Sequence, residues 1–214
     1  MGHAAEGRCV SAFRRARKGG ARASFPPLEA NLLRNLSRQL IELLRDDGRR
    51  GQGTGDSLES LFDFDEPVAP PEDPVLARLL PAAYDDDEKA AEFRRFTEPG
   101  LRDSKVVQAT TVIESLERGG LVEDELPLPL DSSGVADPQL EDPAAVEVDL
   151  DAGDAQAWLR CLTDLRLALA ERLEITEEDQ SAFEQVEEDD PKAGMYAVYG
   201  WLGYLQETLV EAIR

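Results

Sequence analysis

Apolar residues recur along this chain of 214 residues with two different periods. In "SFPPLEANLLRNLSRQLIELLRDD", Leu32, Leu36, Leu40 and Leu43 return at helical spacing, with Leu33, Ile41 and Leu44 widening the stripe. Ser24 can cap this helix, and proline is tolerated in its first turn. Two C-terminal runs are the strongest helices, "DAGDAQAWLRCLTDLRLALAERL" and "PKAGMYAVYGWLGYLQETLVEAI". On a helical wheel Leu162, Leu165, Leu169 and Leu173 gather around Trp158, while Val198, Trp201, Leu202, Leu205, Leu209 and Ile213 share a face of the last helix. These two helices are expected to pack on each other, with Gly200 and Gly203 pointing away from the shared face.

Between these helices the pattern is more broken. "DPVLARLLPAAY" predicts a short helix ended by Pro81, and "DDDEKAAEFRRFTEPGLRDSKVVQATTVIESLERGG" predicts two helices split at Pro99-Gly100. The second of these carries Leu101, Val106 or Val107, Ile113 and Leu116, and stops at Gly119-Gly120. A short helix at Leu58 to Phe64 lies within the Gly/Pro-rich stretch. Strand periodicity occurs in two places. "RCVSAFRRARKGGARASF" reads as a hairpin of Val10 to Arg15 and Ala21 to Phe25, turned at Lys18-Gly19-Gly20. "AAVEVDLD" alternates at Val146, Val148 and Leu150, a further strand that can pair with the hairpin.

The expected architecture is therefore mainly α: a single helical domain, 1–214, with a small N-terminal β-hairpin and one further short strand. Its parts are a basic arm at 1–25, N-terminal helices at 26–120 with a loop at 47–74, an acidic irregular segment at 121–151 that ends in the strand, and a C-terminal helical pair at 152–214.

Charge sharpens this picture. The net charge is -22, yet Arg8, Arg14, Arg15, Arg17, Lys18 and Arg22 stand against Glu6 alone in the arm, so the arm is basic and the remainder more acidic still. Such a body repels phosphate backbones and favours basic partners, while the arm can clamp onto the body or grip an acidic partner. Nucleic-acid binding is expected only weakly or indirectly, through the hairpin turned away from the acids. Two distant cysteines, Cys9 and Cys161, fit a reducing cytoplasm rather than a secreted disulfide framework. No run reaches the roughly 18 apolar residues of a membrane helix, and no secretory h-region follows the arginines. The expected location is cytoplasmic, without membrane attachment.

Candidate chemistry is sparse. One histidine, His3, excludes a His-based triad and a multi-His metal site, and no base can be placed beside either cysteine. The acidic runs Asp85 to Glu88 and Glu187 to Asp190 precede helices, where carboxylates favour the positive end of the dipole, and neither resembles an EF-hand. "GQGTG" lacks the lysine of a P-loop. No metal or cofactor is expected. Cys161 sits on the shoulder of the Trp158 face, where a free cysteine behaves as a small hydrophobe; Asp164 would raise its pKa and Arg160 offset this. Arg94 and Arg95, between Phe93 and Phe96, suit either an acidic or nucleic-acid partner or the charged outer face of an amphipathic helix. Tyr196, Tyr199 and Tyr204 offer aromatic surface for a homodimer through the last helix.

Four blocks, "FPPLEANLLRNLSRQLIELL", "DPVLARLLPAAY", "AWLRCLTDLRLALAERLEI" and "YAVYGWLGYLQETLVEAI", together resemble an actinobacterial family first known as a domain of unknown function and later described as AosR-like oxidative-stress transcriptional regulators. The resemblance implies a cytosolic, non-enzymatic regulator that acts with a sigma factor of RNA polymerase. It also implies a gene neighbourhood including a Clp adaptor, which suggests the alternative of an accessory factor in Clp-dependent proteolysis. Direct DNA binding through the basic hairpin is a further alternative. The family's proposed switch is a disulfide between two N-terminal cysteines separated by nine residues; Cys9 lies in that region, but the partner position is Gly19. Three routes stay open: Cys9 pairs with Cys161, which needs Cα atoms within about 7 Å; Cys9 bridges two protomers; or no disulfide forms. Beside Arg8, Cys9 is expected to be the more reactive thiol. Candidate redox residues are thus Cys9 and Cys161, and candidate partner-binding residues are Arg14, Arg15, Arg17, Lys18, Arg22, Arg94 and Arg95.

Overall fold

A computed structural model describes residues 11–51, 69–122, 144–175 and 191–214. In chain order these form β1 (Arg14–Arg15), a 3-10 turn at Arg17–Gly19, β2 (Ala21–Phe25), α1 (Pro27–Gly51), α2 (Pro74–Leu79), α3 (Asp87–Arg118), β3 (Val146–Leu150), α4 (Ala152–Arg172) and α5 (Ala193–Ile213). The fold is mainly α, as the patterning predicts. The helix at Leu58 to Phe64, the acids at Glu187 to Asp190, and Cys9 lie outside the described residues.

The strands form one antiparallel sheet in the order β1-β2-β3. Alternation does the sorting: Ala21, Ala23, Phe25, Val146, Val148 and Leu150 face the core, while Arg22, Ser24, Glu147 and Asp149 face out. The first strand of the hairpin begins at Arg14, with Val10 outside the described residues: Phe13 N–H donates to Thr208 Oγ1 of α5 at 3.2 Å instead of joining the ladder, and Ala16 N–H closes the turn onto Gly20 O at 2.9 Å. Gly19 supplies a φ of +77°, and Gly20 is needed for a different reason: a Cβ there would fall 2.1 Å from Leu150 O. Ser24 does not cap α1. The alternation of β2 turns it outward, where its hydroxyl donates to Glu147 Oε1 at 2.6 Å.

α1 buries Ala30, Leu33, Ser37, Leu40, Ile41 and Leu44, so the residues expected to widen the stripe are its centre, and Leu32, Leu36 and Leu43 are half-buried. The helix also continues to Gly51, past the start of the loop expected at 47–74. Glycine costs only about 1 kcal/mol in a helix and does not by itself stop one. α2 begins at Pro74 under an Asp73 cap, whose carboxylate accepts from Val75 N at 2.8 Å.

The larger departure is α3, one continuous helix of 32 residues rather than two split at Pro99-Gly100. Proline removes one backbone donor, but buried residues before it (Ala90, Ala91, Arg94) and after it (Arg102, Ala109, Val112, Leu116) occupy one face against α1 and α4. Keeping both halves in register retains that packing, which outweighs a local penalty of about 3 kcal/mol. Glu98 binds Arg94 on one side and Arg102 on the other, spanning the proline. With the helix unbroken, Leu101 points to solvent, contrary to expectation, and of the two valines Val106 packs against the core while Val107 is exposed.

At its end α3 is stitched to the sheet. Gly120 adopts a φ of +103°, Leu121 N–H returns to Leu116 O, and Gly119 O accepts from Glu147 N–H at 3.0 Å. α4 occupies the centre, in contact with α1, α2, α3 and α5. Trp158 is fully buried with Phe13 edge-on at 5.4 Å and Phe25 stacked at 6.0 Å, so the hairpin is clamped to the helical body by aromatic packing. α5 lays Leu202, Leu205 and Leu209 against α4, with Trp201 half-buried.

Candidate functional site

Two features are candidates for function, a thiol and a basic surface. Cys161 is 1% exposed, on the side of α4 that meets α1 and α3. Its Sγ lies 3.9 Å from Ser37 Oγ, and Asp164, one turn on, is bound by Lys105 of α3 at 2.6 Å. Burial pushes the thiol pKa up to about 12; the Ser37 hydrogen bond pulls down, the Asp164 charge pushes up, and Lys105 pulls down again. The compensating cation is therefore Lys105, while Arg160 beside the cysteine is exposed. The Asp164 carboxyl is likewise raised above its ordinary value, because its burial outweighs the attraction of Lys105. At neutral pH Cys161 is a protonated thiol without access to solvent, poorly suited to nucleophilic attack.

The basic surface is built by the hairpin. Arg14, Arg15, Arg17 and Arg22 are all exposed, and Lys18 lies in the turn between the strands. Arg14 is paired in register with Arg22, and Arg22 with Asp149, so one row across the sheet reads arginine, arginine, aspartate. Glu147 continues the acidic edge on β3. The hairpin is anchored by the aromatic clamp, by its ladder to β3, and by Phe13 N–H donating to Thr208 Oγ1 on α5 at 3.2 Å. Its positive charge is thus presented on a fixed support.

Arg94 and Arg95 are not a pair in space. Arg94 is buried and engages Glu98 at 3.4 Å, whereas the Arg95 guanidinium lies over the Phe96 ring at 4.7 Å. Sequence reasoning missed Arg102, which is buried, meets Glu98 at 2.6 Å and donates to Leu44 O of α1 at 2.9 Å. The signal was present: Arg94, Glu98 and Arg102 follow at four-residue intervals, one helical face.

On the α4–α5 side, Arg166 donates to Gln206 Oε1 at 2.6 Å and stacks on Tyr199, and Gly203 leaves room for its guanidinium, where a Cβ would lie 3.5 Å away. So Gly203 faces α4, while Gly200 opens to free space. Among the described residues no three His, Cys, Asp or Glu side chains converge as a metal site, and no helix is long and apolar enough to cross a membrane.

A helical body with a shielded thiol and a small sheet that carries sorted charge defines a mainly α protein with a basic presenting surface. The chain belongs to the family described as Domain of unknown function (DUF2017), whose profile matches residues 10–213. It is 33% identical over 205 residues to the proteins named Oxidative stress regulator AosR of Mycobacterium bovis and Mycobacterium tuberculosis, covering 88% of this chain and 80% of each relative. The resemblance carried by the four helical blocks is thereby established. No solved structure matches.

Proposed function

We propose that this chain is a non-enzymatic, cytoplasmic regulator of the oxidative-stress response, and that it works by docking its basic hairpin on an acidic surface of a sigma factor or RNA polymerase. The relatives' names support a role in regulating the oxidative-stress response. The observation that supports the second is the gathering of exposed Arg14, Arg15, Arg17 and Arg22 on one rigidly anchored hairpin of a chain whose net charge is -22. Placing Arg14 and Arg22 side by side costs stability, and an acidic partner would offset that cost while steering the encounter. DNA suits the hairpin less well, because the rest of the chain repels phosphate. Any redox response through this chain's own thiols falls to Cys9, since Cys161 is sealed in the core.

The test is affinity capture from host lysate with and without brief peroxide, using wild-type, Arg14→Glu/Arg22→Glu and Cys9→Ser baits. Recovery of RNA polymerase with one sigma factor, lost on charge reversal, is the expected result, with peroxide changing the yield for wild type and not for Cys9→Ser. Recovery of Clp subunits without polymerase would replace this reading with the proteolytic adaptor.

A further inference from the structure

The outer face of α3, opposite α1 and α4, carries exposed apolar side chains along its middle, where an exposed helix face is ordinarily charged. Phe96 is 69% and Val107 63% exposed, with Phe93 also open to solvent. At 100° per residue, Lys89, Phe93, Phe96, Ser104, Val107, Thr111 and Glu114 all lie within about 40° of Gly100. This stripe runs straight through Pro99 only because α3 is continuous. Among the described residues, nothing lies within 4 Å of a Cβ placed on Gly100.

We infer that this face is the contact between two copies of the chain, packed antiparallel with the two-fold axis between Gly100 and Ser104. The charges at the ends of the stripe select that arrangement. In the antiparallel pairing Lys89 of each copy reaches Glu114 of the other, Phe96 covers Val107, and Phe93 packs beside Thr111, every contact occurring twice. A parallel pairing would set Lys89 on Lys89 and Glu114 on Glu114, which opposes association. Between those ends no residue of the stripe is itself charged, and the guanidinium that lies against it, Arg95 over Phe96, is a cation, so copies that otherwise repel at -22 each meet here without setting acid on acid. Gly100 and Ser104 at the crossing let the two backbones approach closely, and Phe93 and Phe96 supply the aromatic area that anchors protein contacts. Among the described residues the Lys89 ammonium makes an exposed 4.0 Å contact with Asp86, which the pairing does not need to break.

Sedimentation of the full chain over a concentration series tests this. The expected species has twice the 23.6 kDa of one chain. Phe96→Glu raises the dissociation constant at least about tenfold, and so does Gly100→Leu, whose Cβ meets nothing among the described residues of its own chain. Lys89→Glu and Glu114→Lys each weaken the dimer, and the double reversal restores it, a rescue that a general loss of folding would not produce. A 23.6 kDa species at every concentration overturns the inference. So does a dimer indifferent to Phe96→Glu and Gly100→Leu, and one broken instead by Tyr204→Glu would move the interface to α5.

Discussion

A thiol can act only if it ionises, and at Cys161 the native and unfolded chains differ in where that happens. Unfolded, the thiol loses its proton near 9.0; folded, near 12. Between those values the unfolded chain releases a proton that the native chain retains, so rising pH favours unfolding. This one group lowers stability by about 1.4 kcal/mol per pH unit across the interval, and contributes no such loss below it. Urea unfolding of wild type and Cys161→Val at two alkaline pH values checks the point: the wild-type midpoint falls more steeply with pH, and parallel slopes would contradict the buried, protonated thiol. The wheel around Trp158 already placed Cys161 at the edge of the core. What it lacked were Ser37 and Lys105, from helices distant in sequence, which complete the thiol's surroundings.

Elements are held in register by contacts that local patterns do not carry. Gly119 ends α3, but its second role is against β3, where a Cβ would stand 2.5 Å from Glu147 O. Gly119→Ala is therefore expected to cost about 1–3 kcal/mol by pushing the strand away. Gly100→Ala in the same helix meets nothing among the described residues of its own chain and, measured at concentrations where the chain is monomeric, is neutral or stabilising by up to about 1 kcal/mol. Thermal unfolding of the pair separates the two roles, and equal effects would refute the close contact. Strand and helix periodicity made β2, β3, α4 and α5 legible, because each turns one regular face to the core. Pro99-Gly100 misled because a break is read from neighbours in sequence, whereas continuity of α3 comes from α1 and α4. Ser24 misled likewise: it suits a cap, but Ala23 and Phe25 on the inner side of β2 fix it outward. The arginines of the hairpin were legible as a cluster, and only the register to Asp149 reveals how the sheet sorts them.

For the molecule as a whole, 45 acidic residues against 23 basic ones make compactness itself electrostatically unfavourable. Screening lengths fall from about 30 Å at 0.01 M salt to about 8 Å at 0.15 M, short of the molecular diameter. The melting temperature is expected to rise by about 2–4 °C over that range, equivalent to about 1 kcal/mol for a chain of this size. A flat response in a salt series would mean that ion pairs such as Lys105–Asp164 and Arg102–Glu98 already balance the repulsion. Capture of an acidic partner by the hairpin should move oppositely, weakening as salt increases.

The clamp of Phe13 and Phe25 on Trp158 has an optical consequence. Trp158 is wholly shielded from water, whereas Trp201 on α5 is only half covered and lies apart from the hairpin's aromatic rings. Blue-shifted indole emission therefore reports an attached hairpin, and a partner or oxidant that lifts the hairpin off α4 moves that emission to longer wavelength. The unlabelled protein carries its own gauge of whether its basic sheet is docked or released.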